Sequence, residues 1–388
     1  MENNSKIALH FGAGKIGRGF IAELLHDSEY EIVFGDVVEE IVESINKEKE
    51  YSLFLIDHNY KEKIIDKVSA YSNIKEPEKL INVMCDAEII TTSVMATNLP
   101  KIAPLIAQGL KKRLELGKVP VIIMACENAI MGTDILKKAI IENNILTEEQ
   151  IDKIAVFPNT AVDRMVFDGE HGGKKGIEIG DAYELVIEKN KLIDPDYEPI
   201  KGAEYVDDLM KYLQRKIYII NCGHAISGYL GQTLKGYEIV QDALRDPELL
   251  PQIREAMLES ISALEKKYHF DHESLVEYME TMMIKRFTTP GVEDPISRVS
   301  REPIRKIAPN DRIMWPAFIC EEYGLKNDYL LKGVACALLF KSKGDTQAEE
   351  LQRFIKDNGV EAAIIKYTGV EKDSKMYNTI LEEYNKLK

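Results

Sequence analysis

The sequence predicts an α/β domain built on a parallel sheet, followed by a mostly α-helical domain. Strand-like and helix-like patterns alternate over the first 130 residues, a glycine-rich turn sits at the first strand–helix junction, and helical periodicity takes over from Tyr205 onward. At 388 residues the chain is long enough for two domains, each with its own core.

The elements follow in order. Lys6–Phe11 is a short apolar run, and Gly17–His26 places Phe20, Leu24 and Leu25 at helical spacing. Glu31–Gly35 reads as a second strand and Val37–Asn46 as a second helix. Glu88–Val94 and Val119–Cys126 are further strands, separated by an amphipathic helix over Leu99–Leu116 that Asn98 should cap. Residues 168–203, rich in Gly, Asp, Glu and Lys, suggest irregular chain with an edge strand or two. Helices are expected over Tyr205–Gln214, Lys216–Leu230, Leu249–Tyr268 and Asp271–Met283. The domain boundary is expected near residue 195, giving 1–195 and 196–388.

Composition narrows the partners. With 45% hydrophobic residues and a mean hydropathy of −0.22, the chain is expected to be globular and cytoplasmic, with no basic leader or membrane-length apolar run. Fifty basic against 65 acidic residues give −15, a poor match to nucleic acid or an anionic membrane. Cys85, Cys126, Cys222, Cys320 and Cys336 form no C-x-x-C pair, so neither a disulfide framework nor a thiolate zinc site is expected. A small-molecule substrate and a monomer or small homo-oligomer are the partner expectations.

Gly12-Ala13-Gly14-Lys15-Ile16-Gly17 fits G-x-G-x-x-G between a strand and a helix, and Asp36 ends the next strand 19 residues after Gly17. Gly12 allows a tight turn, Gly14 lets the backbone approach a pyrophosphate, and Gly17 lets helix and strand pack closely. The helix start adds N–H donors and a positive dipole end, with Arg18 a further phosphate candidate. A Rossmann-type domain is therefore expected. Asp36 would accept hydrogen bonds from ribose hydroxyls and repel a 2′-phosphate, and Val37-Val38-Glu39 offers no compensating cation, so NAD is favoured over NADP. Thr91-Thr92-Ser93 ends a later strand where ribose and nicotinamide contacts would lie.

None of the seven histidines sits in a zinc-ligand pattern, so no metal is expected and the acid–base group should be a side chain. Lys216-Ile-Tyr-Ile-Ile-Asn221-Cys-Gly-His224 places Lys216, Asn221 and His224 within about a 140° arc of a helix at 100° per residue. Apolar neighbours would depress the lysine pKa and suit it to proton transfer, while Asn221 and His224 could polarise an oxygen. Periodicity alone favours a core helix with a snorkelling lysine and a satisfied histidine. Asn128 and Asn159 follow strands at the carboxyl ends, where ligands bind in open α/β sheets, although both could equally cap helices.

These segments, with His10-Phe11 before the glycine turn, Ala125-Cys126-Glu127-Asn128, Ala161-Val162-Asp163-Arg164, Arg298 to Lys306 and Asn310-Asp311-Arg312, resemble the polyol-specific long-chain dehydrogenases over nearly the whole chain. The sequence departs from the family pattern at Met165-Val166-Phe167-Asp168 and at Lys15, where Asn is usual. The resemblance implies Lys216 as general acid/base, with Asn128, Asn221 and His224 positioning the reacting oxygen in a site between two domains. It further implies metal-independent hydride transfer interconverting D-mannitol 1-phosphate and D-fructose 6-phosphate with NAD. An unphosphorylated polyol or a hexuronate is the alternative substrate, and a dinucleotide sensor without turnover the alternative class. Asn159, Asp163 and Arg164 are candidate substrate contacts. Lys285–Arg312 carries seven basic and four acidic residues, so Arg298, Arg301 and Arg305 are candidates for a substrate phosphate.

Overall fold

In chain order the strands are β1 (Lys6–Phe11), β2 (Tyr30–Asp36), β3 (Tyr51–Leu55), β4 (Lys61–Ile65), β5 (Val68–Ser72), β6 (Ile89–Thr92), β7 (Val121–Ala125), β8 (Ala155–Val156), β9 (Thr160–His171), β10 (Lys174–Glu188) and β11 (Glu204–Val206). The computed structural model describes residues 6–291 and 293–388. The chain divides into two units, one running to Tyr212 and one from Leu213 to Lys388.

Six strands of the amino-terminal unit form a parallel sheet in the order β5-β2-β1-β6-β7-β8. The order reverses direction between β1 and β6, which makes their carboxyl ends the switch point where such sheets bind ligands. β7 reads Val-Ile-Ile-Met-Ala and is buried at every position. Its alternate residues explain why: Ile122 and Met124 join one core, Val121, Ile123 and Ala125 the other. On one face the partners are Leu80, Ile106 and Leu136 from helices Pro77–Asp86, Leu99–Glu115 and Gly132–Glu142. On the other lie Leu25, Leu53, Ile177 and Ile187, so part of that face is covered by a second sheet.

The second sheet corrects the sequence reading. Residues 168–203 are not mainly irregular: β9 and β10 form an antiparallel hairpin of 12 and 15 residues, and β10 also pairs with β3 and β11. Its turn is Gly172-Gly173, both at positive φ, the pair of left-handed positions a tight two-residue hairpin requires. Tyr205 lies in β11 opposite Ile187, and the helix expected to begin there starts at Leu209. Asn98 precedes its helix without capping it: Nδ2 donates to the Val94 carbonyl, and Oδ1 accepts from Lys101.

The carboxyl-terminal unit is helical. Leu249–Tyr268 runs through its middle, burying Ile253, Met257, Ile261 and Leu264, and packs on Cys222–Leu230, Met314–Glu322 and Asp328–Leu339. Gly223 and Gly228 mark close approaches within this unit: a Cβ on Gly223 would lie 2.4 Å from Met257 Sδ, and on Gly228 2.1 Å from Ser300 Oγ. Within it, Glu259 accepts the Tyr329 and Leu330 N–H groups, serving the first turn of Asp328–Leu339 from a neighbouring helix. All five cysteines are free and buried. Among the described residues no helix is long and apolar enough to cross a membrane.

Candidate active site

The glycine turn leaves β1 at the switch point. Gly12 holds φ +102°, and a Cβ there would lie 2.4 Å from the Ser93 carbonyl oxygen; one on Gly17 would lie 1.9 Å from the Gly12 oxygen. Gly14 differs, because nothing lies within 4 Å of where its Cβ would be. Two glycines thus allow backbone packing and the third leaves an open approach, which fits a pyrophosphate over the helix start. Asp36 binds the turn to the sheet: Oδ2 accepts the Ala13 N–H at 2.6 Å and Oδ1 the Val38 N–H at 2.9 Å. Each oxygen keeps acceptor capacity for a ribose hydroxyl. Nearby, Lys75 pairs with Glu39 at 3.1 Å. Ile16 is exposed beside the turn. Lys15 pairs with Asp168 at 3.0 Å, and Arg18 Nε donates to the Ala13 carbonyl at 2.7 Å.

At the ends of β6 and β7 most polar groups turn inward. Thr91 and Thr92 are fully buried: Thr91 Oγ1 lies 2.7 Å from His10 Nδ1, and Thr92 Oγ1 donates to Glu127 at 2.7 Å. Both hydroxyls are therefore engaged within the fold. Ser93 stays half-buried beside Gly12. Glu127 also accepts the Val94 and Met95 N–H groups, at 2.8 and 2.9 Å, and so holds this loop with Met95 at φ +71°. Asn128, next in sequence, is exposed at the same carboxyl edge of the sheet. Burial pushes the His10 imidazole down to about 3, so it is neutral and serves packing.

In the carboxyl-terminal unit, Lys216–Asn221 is a π-helical turn that runs into Cys222–Leu230. The wider turn advances each residue by less than the α-helical step, so Asn221 lies nearer Lys216 in rotation than an α-helix would place it. The surroundings fix it: Tyr218 stacks on Trp315 at 4.0 Å, and Ser260 Oγ donates to the Tyr218 carbonyl at 2.5 Å. Lys216 and Asn221 are half-buried. The His224 ring packs on Phe287 at 4.1 Å, and burial lowers its pKa against the pull of Asp294, favouring the neutral imidazole. The segment therefore offers an amine, an amide and a neutral imidazole within nine residues.

Two family models cover almost all of this chain: the mannitol dehydrogenase Rossmann domain over residues 6–199 and the mannitol dehydrogenase C-terminal domain over 208–388. The chain belongs to the mannitol dehydrogenase family. It is an oxidoreductase of the polyol dehydrogenase class. Its relatives include the mannitol-1-phosphate 5-dehydrogenase of Geobacillus stearothermophilus, 39% identical over 98% of this chain and 100% of the relative. That of Thermoanaerobacter pseudethanolicus is 41% identical over 98% of both chains. In fold, it is similar to a substrate-free D-sorbitol dehydrogenase with a TM-score of 0.82, at 16% identity over 98% of this chain and 93% of the other.

Within this family member the expected substrate contacts separate sharply. Asn159 is fully buried, its Oδ1 accepting the Thr133 and Asp134 N–H groups and its Nδ2 donating to Asp134 and Glu188. It holds the start of the helix Gly132–Glu142. Arg164 is likewise committed, to Glu23, the Gly180 carbonyl and the faces of Phe20 and Tyr183. Asp163 is half-buried on β9, opposite Glu184. Of the three arginines, Arg298 forms a fork with Asp294, and Arg305 pairs with Glu302 and Asp311. Arg301 is exposed and has no side-chain partner among the described residues. Sequence reasoning missed Lys306, which is buried, donates to the Arg301 carbonyl, and is pushed down to about 7 by burial and by Arg312 and Arg305. It also missed Glu127 and Asp294. Only burial distinguishes these from ordinary surface charges. Among the described residues no group of three or more His, Cys, Asp or Glu side chains could hold a metal ion.

Proposed function

We propose that this chain interconverts D-mannitol 1-phosphate and D-fructose 6-phosphate with NAD, using Lys216 as general acid/base and no metal ion. The substrate reading is carried by the mannitol-1-phosphate 5-dehydrogenases that match it at 39–41% identity from end to end. The mechanism is carried by Lys216, Asn221 and His224 on one π-distorted helical segment. NAD, held by the Gly12–Gly17 turn, Ser93 and Asp36, accepts the hydride when bound.

In the oxidising direction Lys216, as the free amine, takes the hydroxyl proton as the hydride leaves the same carbon. In the reducing direction its ammonium returns that proton to the new alkoxide. Asn128, Asn221 and neutral His224 hold the reacting oxygen and its neighbour. Amide N–H donors favour charge developing on oxygen, and a neutral imidazole adds no charge that would repel the Lys216 ammonium.

Lys216→Ala should lower turnover by roughly 10²–10⁴-fold while leaving NADH affinity nearly unchanged, and a chelator should leave the wild-type rate alone. Full turnover by the alanine variant would remove Lys216 from the mechanism.

A further inference from the structure

His224 does not stand alone. Its Nε2 is sealed from solvent and lies 3.3 Å from Asp294 Oδ2, while the imidazole side chain keeps 15% of its surface open. Asp294 is held from several directions. Its N–H donates to Gln241 Oε1 at 2.8 Å, and its carbonyl accepts the Val240 N–H at 3.0 Å. Beside it, Ile239 bridges Pro295 and the Ile296 N–H reaches the Glu238 carbonyl at 2.8 Å. Its carboxylate receives the Arg298 fork. Two chain segments stitched by backbone bonds therefore fix one carboxylate against one histidine nitrogen.

That placement is costly if it serves only the fold. A surface Asp–Arg pair four residues apart on a helix needs no burial and contributes little. Here the carboxylate is drawn into the unit, with only 8% of its side chain exposed. Burial alone would push the Asp294 carboxyl up, but the nearby His224 imidazole and the Arg298 fork hold it below the usual carboxylate range. The charged groups facing the imidazole are Asp294, Arg298 and Arg286, and the two guanidiniums oppose its protonation.

We propose that Asp294 is a positioning residue that keeps the proton of His224 on Nε2 and so presents Nδ1 as the acceptor toward the substrate. This rests on the assignment of His224 to the site. The carboxylate lies 3.3 Å from Nε2 but off the N–H axis, the loose geometry that catalytic hydrogen bonds often show before substrate is bound. With Nε2–H turned to a fixed anion, the ring cannot flip without losing a charge-assisted bond. Nδ1 then accepts a hydroxyl hydrogen of the polyol, which orients the carbon that loses hydride. Arg298 acts through Asp294, keeping it anionic.

The test is a double-mutant cycle on the full chain with NADH and fructose 6-phosphate. His224→Ala alone must lower kcat/KM; if it does not, the site assignment fails, whatever Asp294 does. Given that loss, Asp294→Asn should lower kcat/KM by about 10- to 100-fold, with NADH affinity and melting temperature near wild type. It should cost nothing further in the His224→Ala background. Its acid limb in the reducing direction should move to lower pH, because the carboxylate that favours the imidazolium is gone. Full activity, or a loss that simply adds to that of His224→Ala, overturns the proposal. If the asparagine variant does not fold, isotope-labelled histidine NMR of the wild-type protein decides: the proton on Nε2 supports the proposal, the proton on Nδ1 overturns it.

Discussion

At the residue scale, chemistry divides between side chains the protein has committed to itself and those it has left open. Asp36 anchors the glycine turn, and on the proposed reading it also accepts the ribose hydroxyls. Asp36→Ser combined with Val37→Arg should shift cofactor preference toward NADP by roughly 10- to 100-fold, read as the ratio of kcat/KM values. Equal use of NADP and NAD by the wild type would contradict the reading of Asp36. The same division singles out Arg301. Arg301→Ala should raise KM for fructose 6-phosphate by about 10- to 150-fold, the loss of one charge-assisted contact. Arg305→Ala should do less, since that guanidinium already pairs with Glu302 and Asp311. An unchanged KM in the Arg301 variant would place the phosphate elsewhere. The glycine turn was legible because Gly12 and Gly17 answer steric demands and Gly14 leaves an open approach. The inward turn of Thr91, Thr92, Asn159 and Arg164 was not, because a sequence shows a polar residue at a strand end without showing which way it turns.

At the element scale, apolar periodicity located four of the six parallel strands, β1, β2, β6 and β7, and the long helix Leu249–Tyr268, whose limits the structure repeats. It missed the β9–β10 hairpin because Lys, Glu and Asp at alternate positions hide a strand that buries Ile177 and Ile179 on one face. The Gly172-Gly173 pair was the available signal. It could not reveal the π-turn at Lys216 either, since a period near 100° presumes an α-helix throughout. Helix joints also carry a pH signature. Burial raises the Glu259 carboxyl to about 7, although the Leu330 and Tyr329 N–H groups favour its anion. The native state therefore holds that proton through a range in which the unfolded chain has released it. The resulting stability is present in acid and is lost as pH rises from the ordinary glutamate value to about 7. Glu259→Gln should flatten the fall in melting temperature between roughly pH 5 and pH 8. A slope equal to the wild type's would assign that dependence to other groups.

At the scale of the whole molecule, the order of elements was legible from patterning alone: a parallel sheet with its glycine turn in the first half, helices in the second. Substrate identity was not, because no residue type is peculiar to a sugar phosphate. What the chain offers instead is contrast. A protein of net charge −15 repels an anionic substrate at long range, so on the proposed reading capture depends on local positive charge such as the exposed Arg301 in Lys285–Arg312. The same contrast should make capture sensitive to salt. The central claim is that this chain is an NAD-linked dehydrogenase of a polyol phosphate, and the oxidation of NADH followed with fructose 6-phosphate and, in parallel, with plain fructose tests it most directly. Rapid NADH consumption with the phosphate, and a kcat/KM for fructose lower by at least about tenfold, is the predicted result. Equal or faster turnover of plain fructose would contradict it.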